Sequence, residues 1–181
     1  MTSESPPADQ IEENAMIAYR EGRLEEAIDG FTAARQAFLT EANEIKAAEM
    51  GGNLCVVLLQ ADRPQEALNA VERSPAIFLS VGDKNRAAQA YGNLGSALEA
   101  CTDSIGAENA YHQATELFDS LGDKEQYSYT MQALSRLQLR RGQPLEAIVS
   151  MQLGMEAKPQ SGIRNRLLRR LLSLPIRLLN R

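Results

Sequence analysis

The sequence contains few of the residues from which disulfide, metal and catalytic sites are built. Its 181 residues include two cysteines, Cys55 and Cys101, which are far apart in the chain. This pair suggests neither a disulfide framework nor a zinc knuckle. We expect both to be small buried packing residues in a reducing compartment. The single histidine, His112, has no serine, cysteine or carboxylate at a spacing typical of a catalytic triad.

Phosphate-binding loops and paired catalytic carboxylates are also missing. Gly51-Gly52 and Gly92 interrupt predicted helices, and no GK[ST] motif follows them. The acidic residues Glu12-Glu13 are adjacent, so on a helix they would point apart instead of sharing a proton. The sequence therefore predicts no catalytic residue, no metal site and no cofactor, and we expect the protein not to be an enzyme.

Long apolar runs are absent as well. No stretch approaches the ~20 residues that a membrane-spanning helix needs, so an integral membrane protein is not expected. The N-terminus, MTSESPPADQ, is polar and acidic and lacks the pattern of a cleaved export signal. We predict a location in the cytoplasm, either free or at the inner face of a membrane.

Charge is divided unevenly along the chain. The formal net charge is −5, from 19 basic and 24 acidic residues. Residues 161–181 hold six arginines and no acid, so the remaining 13 basic and 24 acidic residues give residues 1–160 a net charge of −11. An acidic body repels a phosphate backbone, and we therefore expect no nucleic-acid partner.

A pattern of 40 residues recurs four times. Each copy has an alanine at one position, a large apolar residue four places later and a small residue three places further on. Another column holds leucine. These columns are Ala27, Ala67, Ala107 and Ala147; Phe31, Val71, Tyr111 and Met151; Ala34, Ser74, Ala114 and Gly154; and Leu54, Leu94 and Leu134. Agreement across several columns indicates repetition of one supersecondary unit.

Each unit has the spacing of two helices. Apolar and small residues recur every three or four positions, Pro64 and Pro144 suit first helical turns, and Gly82 and Gly122 suit helix stops. The predicted helices cover residues 8–21, 24–40, 45–61, 64–80, 84–101, 104–121, 124–141 and 144–157. We divide the chain into a leader (1–10), four units (8–47, 48–87, 88–127 and 128–160) and a basic amphipathic C-terminal helix (161–181).

The third unit carries the motif W/Y-x2-L-G-x2-Y/L … A-x3-F/Y-x2-A, on Tyr91, Leu94, Gly95, Leu98, Ala107, Tyr111 and Ala114. This pattern resembles the tetratricopeptide repeat (TPR), and the 40-residue period is similar to that of MalT-type regulators, kinesin light chains and the LGN group. The fourth unit departs by having Ser135 in place of glycine. The resemblance implies an all-α fold, a right-handed α-solenoid of four helix-turn-helix repeats whose first helices line a concave wall.

The resemblance also implies which side chains of the first helices face a ligand. Asn53 and Asn93 occupy equivalent positions, where an amide can donate to a peptide carbonyl and accept from its N–H. Gly52 and Gly92 beside them would let a backbone approach, or all four would serve helix packing and solvation. The two arginines of the fourth unit would meet an acidic partner or lie on a solvated face. The candidate groove residues are Glu12, Arg20, Asn53, Gln89, Asn93, Tyr129, Gln132, Arg136 and Arg140.

The C-terminal segment alternates leucine and arginine with helical spacing, and Pro175 should kink it. Three roles fit this composition: a cap over the last unit, binding to an anionic membrane surface, or docking onto the acidic body of its own or another copy. The side chains expected to make these contacts are Arg164, Arg166, Leu167, Arg169, Arg170, Leu171, Leu174 and Arg177.

Two functions are compatible with these features. The first is a non-catalytic scaffold or adaptor that binds a peptide or helix of another protein in its concave groove. The alternative is a peripheral membrane-associated assembly factor that is anchored by its C-terminal helix.

Overall fold

The computed structural model describes residues 6–157, and every regular element in that range is an α-helix. Successive helices pack on one another along the chain, which gives an all-α solenoid, as the sequence predicts. We call the first helix of each unit, α1, α3, α6 and α8, its A helix, and the rest B helices. The bounds are Ala8–Arg20 (α1), Leu24–Thr40 (α2), Glu44–Gln60 (α3), Pro64–Val71 (α4), Ser74–Ser80 (α5), Lys84–Ala100 (α6), Ser104–Leu121 (α7), Lys124–Arg140 (α8) and Pro144–Ala157 (α9).

The second B helix is the exception to the predicted ranges. It was expected to run unbroken over residues 64–80, but it is divided into α4 and α5. Pro75 lies in the first turn of α5 and has no N–H to donate to Val71, so the first helix ends there and the chain restarts at Ser74. The other helices described begin and end within one residue of prediction. The predicted helix over 161–181 and residues 1–5 of the leader lie outside the described residues.

One residue in the left-handed conformation follows each of the helices α1–α3 and α5–α8, and these residues recur every 20 positions. Four are glycines with φ between 69° and 76°: Gly22, Gly82, Gly122 and Gly142. The other three are Ala42, Asp62 and Thr102, with φ of 56°, 56° and 67°. The following N–H then reaches back to a carbonyl inside the helix, as Asp83 does to Phe78 at 2.9 Å. This geometry reverses the chain within a few residues.

Side chains cap the next helix directly after several of these turns. Asn43, Asp83 and Asp123 accept hydrogen bonds from backbone N–H groups three residues later, at 3.1, 2.9 and 3.0 Å. A cap of this kind stabilises a helix by about 1 kcal/mol. The same turn and cap at 40-residue intervals fix where α3, α6 and α8 begin.

Small residues allow the two helices of a unit to approach closely. A Cβ added to Gly51 would lie 2.5 Å from the carbonyl oxygen of Ala70, and one added to Gly95 would lie 2.6 Å from the Tyr111 ring. Ser135, which replaces glycine in the fourth unit, donates from its hydroxyl to the carbonyl of Ala147 at 2.8 Å. The alanine column Ala27, Ala67, Ala107 and Ala147 is at most 1% exposed.

None of the helices between residues 6 and 157 is both long and apolar enough to span a bilayer.

We predict opposite effects of alanine at two helical glycines. Gly51→Ala should lower the free energy of unfolding by about 1–3 kcal/mol, because its Cβ would collide with the backbone of α4. Gly92→Ala should raise it by about 1 kcal/mol, because no atom lies within 4 Å of the new Cβ and alanine favours helix. Urea unfolding followed by circular dichroism measures both. Equal destabilisation by the two variants would contradict this account of helix packing.

Thr102 is a second site at which a substitution should stabilise the fold. Its φ of 67° is unfavourable for a β-branched side chain, so Thr102→Gly should raise the free energy of unfolding by about 0.5–1 kcal/mol. Thr32→Gly, at an exposed position within α2, is the matched control and should lower it. A loss of stability in both variants would show that the strain at Thr102 is negligible.

Candidate functional site

A groove between α3 and α6 brings together three of the predicted ligand-facing residues. Asn53, Gln89 and Asn93 line it, with Gly52 and Val56 on its floor and sides, and its volume is about 260 Å³. That volume is below the usual range for a drug-sized ligand, but it accommodates a side chain or a short length of backbone. The groove is therefore suited to part of a larger partner.

The amides of Asn53 and Asn93 are available for a ligand. Both residues are half-buried, and neither side chain makes a hydrogen bond to any residue in the described range. The backbone carbonyl of Asn93 is engaged by the Cys55 thiol, 3.7 Å away, which ties α6 to α3 at this point. Two half-buried amides with unused donors and acceptors thus line the same groove.

The glycines beside these amides have no packing role. A Cβ on Gly92 would meet nothing within 4 Å, and one on Gly52 would only touch the Asn93 amide at 3.5 Å, an ordinary contact. Gly51 and Gly95, one helix face away, are sterically required. Since glycine inside a helix costs about 1 kcal/mol, the two groove glycines reduce stability without improving the packing.

An ion-pair row crosses the rim of this groove and joins three A helices. Lys46 Nζ lies 3.2 Å from Glu12 and 3.4 Å from Glu49, and Arg86 bonds to Glu49 and, at 2.6 Å, to Asp83. Glu12 was predicted to face a ligand. In the structure its carboxylate pairs with Lys46 and so links α1 to α3.

A second groove lies between α6 and α8 and contains both predicted arginines of the fourth unit. Arg140 pairs with Glu99, which also accepts a hydrogen bond from the Tyr111 hydroxyl at 2.9 Å. Arg136 is exposed in the same groove and forms no ion pair with a described residue. Burial raises the pKa of Tyr111, although the hydrogen bond with Ser96 and the charge of Arg136 oppose this, so the phenol remains a donor.

Three further predicted side chains, Arg20, Tyr129 and Gln132, line neither of the two grooves. Arg20 is exposed at the end of α1, Tyr129 is 57% exposed on α8, and Gln132 donates to Ser128 at 3.3 Å. Gln89, in the first groove, donates to Asn85 at 2.7 Å. The predicted contacts of the C-terminal segment, from Arg164 to Arg177, lie outside the described residues.

Sequence reasoning missed the residues that link neighbouring units. Arg86 and Glu99 were not proposed, although each is central to a contact between A helices. A signal was present in the repeat register. Lys46 and Arg86 are 40 residues apart, and the pairs Tyr19–Gln60 and Glu99–Arg140 join equivalent positions of neighbouring units, each 41 residues apart.

Residues that could hold a metal ion are not clustered within residues 6–157. No group of three histidine, cysteine, aspartate or glutamate side chains converges there. His112 is exposed on α7, away from both grooves.

Two solved structures resemble this chain over most of its length, and both are helical repeat proteins. BtubC (BKLC) from P. vanneervenii has a TM-score of 0.73 and 18% identity, over 95% of this chain and 68% of that one. The apo form of RapI has a TM-score of 0.78 and 14% identity, over 92% of this chain and 48% of its own, so this chain spans about half of RapI. No family model and no curated protein matches. At this level of identity the likeness concerns the fold alone, and membership of the TPR family stays a prediction.

The two cysteines should differ in reactivity. Burial raises the pKa of Cys55 to about 12, so at pH 8 its reactive thiolate is nearly absent, whereas Cys101 is only partly buried. We predict that a chromogenic disulfide reagent titrates one thiol rapidly in the native protein and two after unfolding in urea. The Cys101→Ser variant should lose the rapid phase. Rapid reaction of two thiols in the native state would show that α3 opens readily.

Proposed function

We propose that the protein is a non-catalytic adaptor of the tetratricopeptide type that holds an extended peptide segment of a partner protein in the groove between α3 and α6. The observation that carries the proposal is the repeated Gly–Asn pair, Gly52-Asn53 and Gly92-Asn93. Each pair combines a helical glycine that packing does not require with an amide that makes no bond in the described residues.

An extended segment suits these amides better than a helix does. A main chain in a helix has already satisfied its own N–H and C=O groups, whereas an extended chain presents both outward. A carboxamide can donate to one and accept from the other. The absence of a Cβ at Gly52 and Gly92 would let that backbone come close to α3 and α6.

Charge suggests which segments would bind. Arg136 lies in the adjacent groove without an ion pair in the described range, while Glu99 is already shared by Arg140 and Tyr111. We expect the partner segment to continue from the first groove toward α8 and to carry a carboxylate that reaches Arg136. Repeat arrays of this architecture are typically scaffolds without chemistry of their own.

The Asn53→Ala/Asn93→Ala variant tests this function. Because each lost amide removes hydrogen bonds worth about 1 kcal/mol apiece, the dissociation constant for the partner segment should rise at least tenfold. The partner would first be captured from native lysate on the wild-type protein, and the bound fragment then measured by calorimetry.

The chain supplies a matched control for this experiment. Asn69 and Asn109 are also 40 residues apart, and both are exposed on B helices outside the groove. Asn69→Ala/Asn109→Ala should leave the affinity unchanged. If the two double variants bind equally well while both stay folded by circular dichroism, the groove between α3 and α6 is not the binding site.

A further inference from the structure

Two positions on the outer face of α9 depart from the pattern of the other B helices, whereas at the position of Leu145 the third unit also has an exposed apolar residue, Ile105. Leu145, Val149 and Leu153, which we call the α9 stripe, lie one turn apart and are 57%, 44% and 42% exposed. The equivalents of Val149 in the earlier units are Asp29, Asn69 and Asn109, and those of Leu153 are Ala33, Arg73 and Gln113; all are exposed. The fold therefore does not require an apolar residue at the position of Val149 or of Leu153.

We infer that residues 163–174 of this chain, whose leucines and arginines have helical spacing, dock against the α9 stripe. Such docking requires a chain reversal after α9, and Pro159 and Gly162 are residue types suited to one. Twelve residues of helix span about 18 Å, enough to cover the roughly 12 Å between Leu145 and Leu153. The apolar side chains that would contact the stripe are Ile163, Leu167, Leu171 and Leu174.

Charge and hydrogen bonding favour this occupant. The segment 161–181 carries six arginines and no acid, whereas residues 1–160 have a net charge of −11. Glu146 and Glu156 are exposed near the two ends of the stripe. The side-chain oxygen of Gln152 is buried beside it without a hydrogen-bond partner, and an arginine with five N–H donors would supply one.

The strict 40-residue register is unfavourable for the simpler arrangement in which the segment stacks as the next A helix. In that register Arg170 follows Met50, Ala90 and Thr130, and Arg177 follows Val57, Ala97 and Leu137. All six of those residues are buried. Two guanidinium groups that were buried in these columns would lack partners, which is strongly unfavourable. The outer face of α9 leaves the arginines in solvent.

Limited trypsin digestion tests the contact, because the segment carries its own cleavage sites. Cleavage after Arg164 to Arg177 in the full chain should be about tenfold slower than in the isolated peptide 158–181, since protection requires the docked state. Val149→Asn/Leu153→Gln, which copies the third unit, should raise the rate toward that of the peptide. Asp29→Asn/Ala33→Gln makes matched changes in the first unit and should leave the rate unchanged.

Each other outcome overturns the inference. Cleavage of the wild-type segment at the rate of the free peptide would mean that it is not docked. Unchanged protection in Val149→Asn/Leu153→Gln, with circular dichroism showing a folded chain, would place the contact elsewhere. Protection that increases with protein concentration would assign the stripe to a second copy, and protection only on anionic vesicles would assign the segment to a membrane. None of these results depends on the binding function of the groove.

Discussion

The fold depends on how closely the two helices of each unit approach. A repeat array has no shared centre, so each hairpin can bury apolar surface only within itself and against its neighbours. The alanine column and the small residues facing the B helices bring the backbones together, and Gly51 and Gly95 lie where even a Cβ would collide. These contacts fix the rotation of every A helix. They therefore also decide which of its columns remain free to line a groove.

Helical glycines occupy two different environments in this chain, and the structure is needed to tell them apart. Gly51 and Gly52 are adjacent in sequence and both lie within α3, yet one is pressed against α4 and the other faces open space. The first contributes to packing at the expense of helix propensity, and the second has no compensating contact. A residue that weakens its helix without improving the fold is informative about function, because stability alone would favour alanine there.

The sequence predicts elements well where local chemistry determines them and poorly where distant pairs do. Turn and cap residues such as Gly82 and Asp83 recur with the period, and so most helix ends were predicted to within one residue. The break between α4 and α5 was not predicted, although Pro75 marks it. Asn53 and Asn93 share a groove because they share a register. The pairing of Glu12 with Lys46 depends on side-chain reach between helices, which spacing does not encode.

A repeat protein also provides its own reference for identifying exceptions. The first three units show which residues the fold tolerates at each position of the repeat. At the positions of Val149 and Leu153, all three units have polar residues or alanine, and all of these are exposed. The fourth unit therefore has no packing reason to be apolar there. The same comparison applies inside the groove, where the amide recurs in the two middle units and Ala133 takes its place in the fourth. Positions at which one unit differs from the others thus indicate the surfaces that are particular to this protein, whereas positions at which all units agree reflect the packing of the repeat.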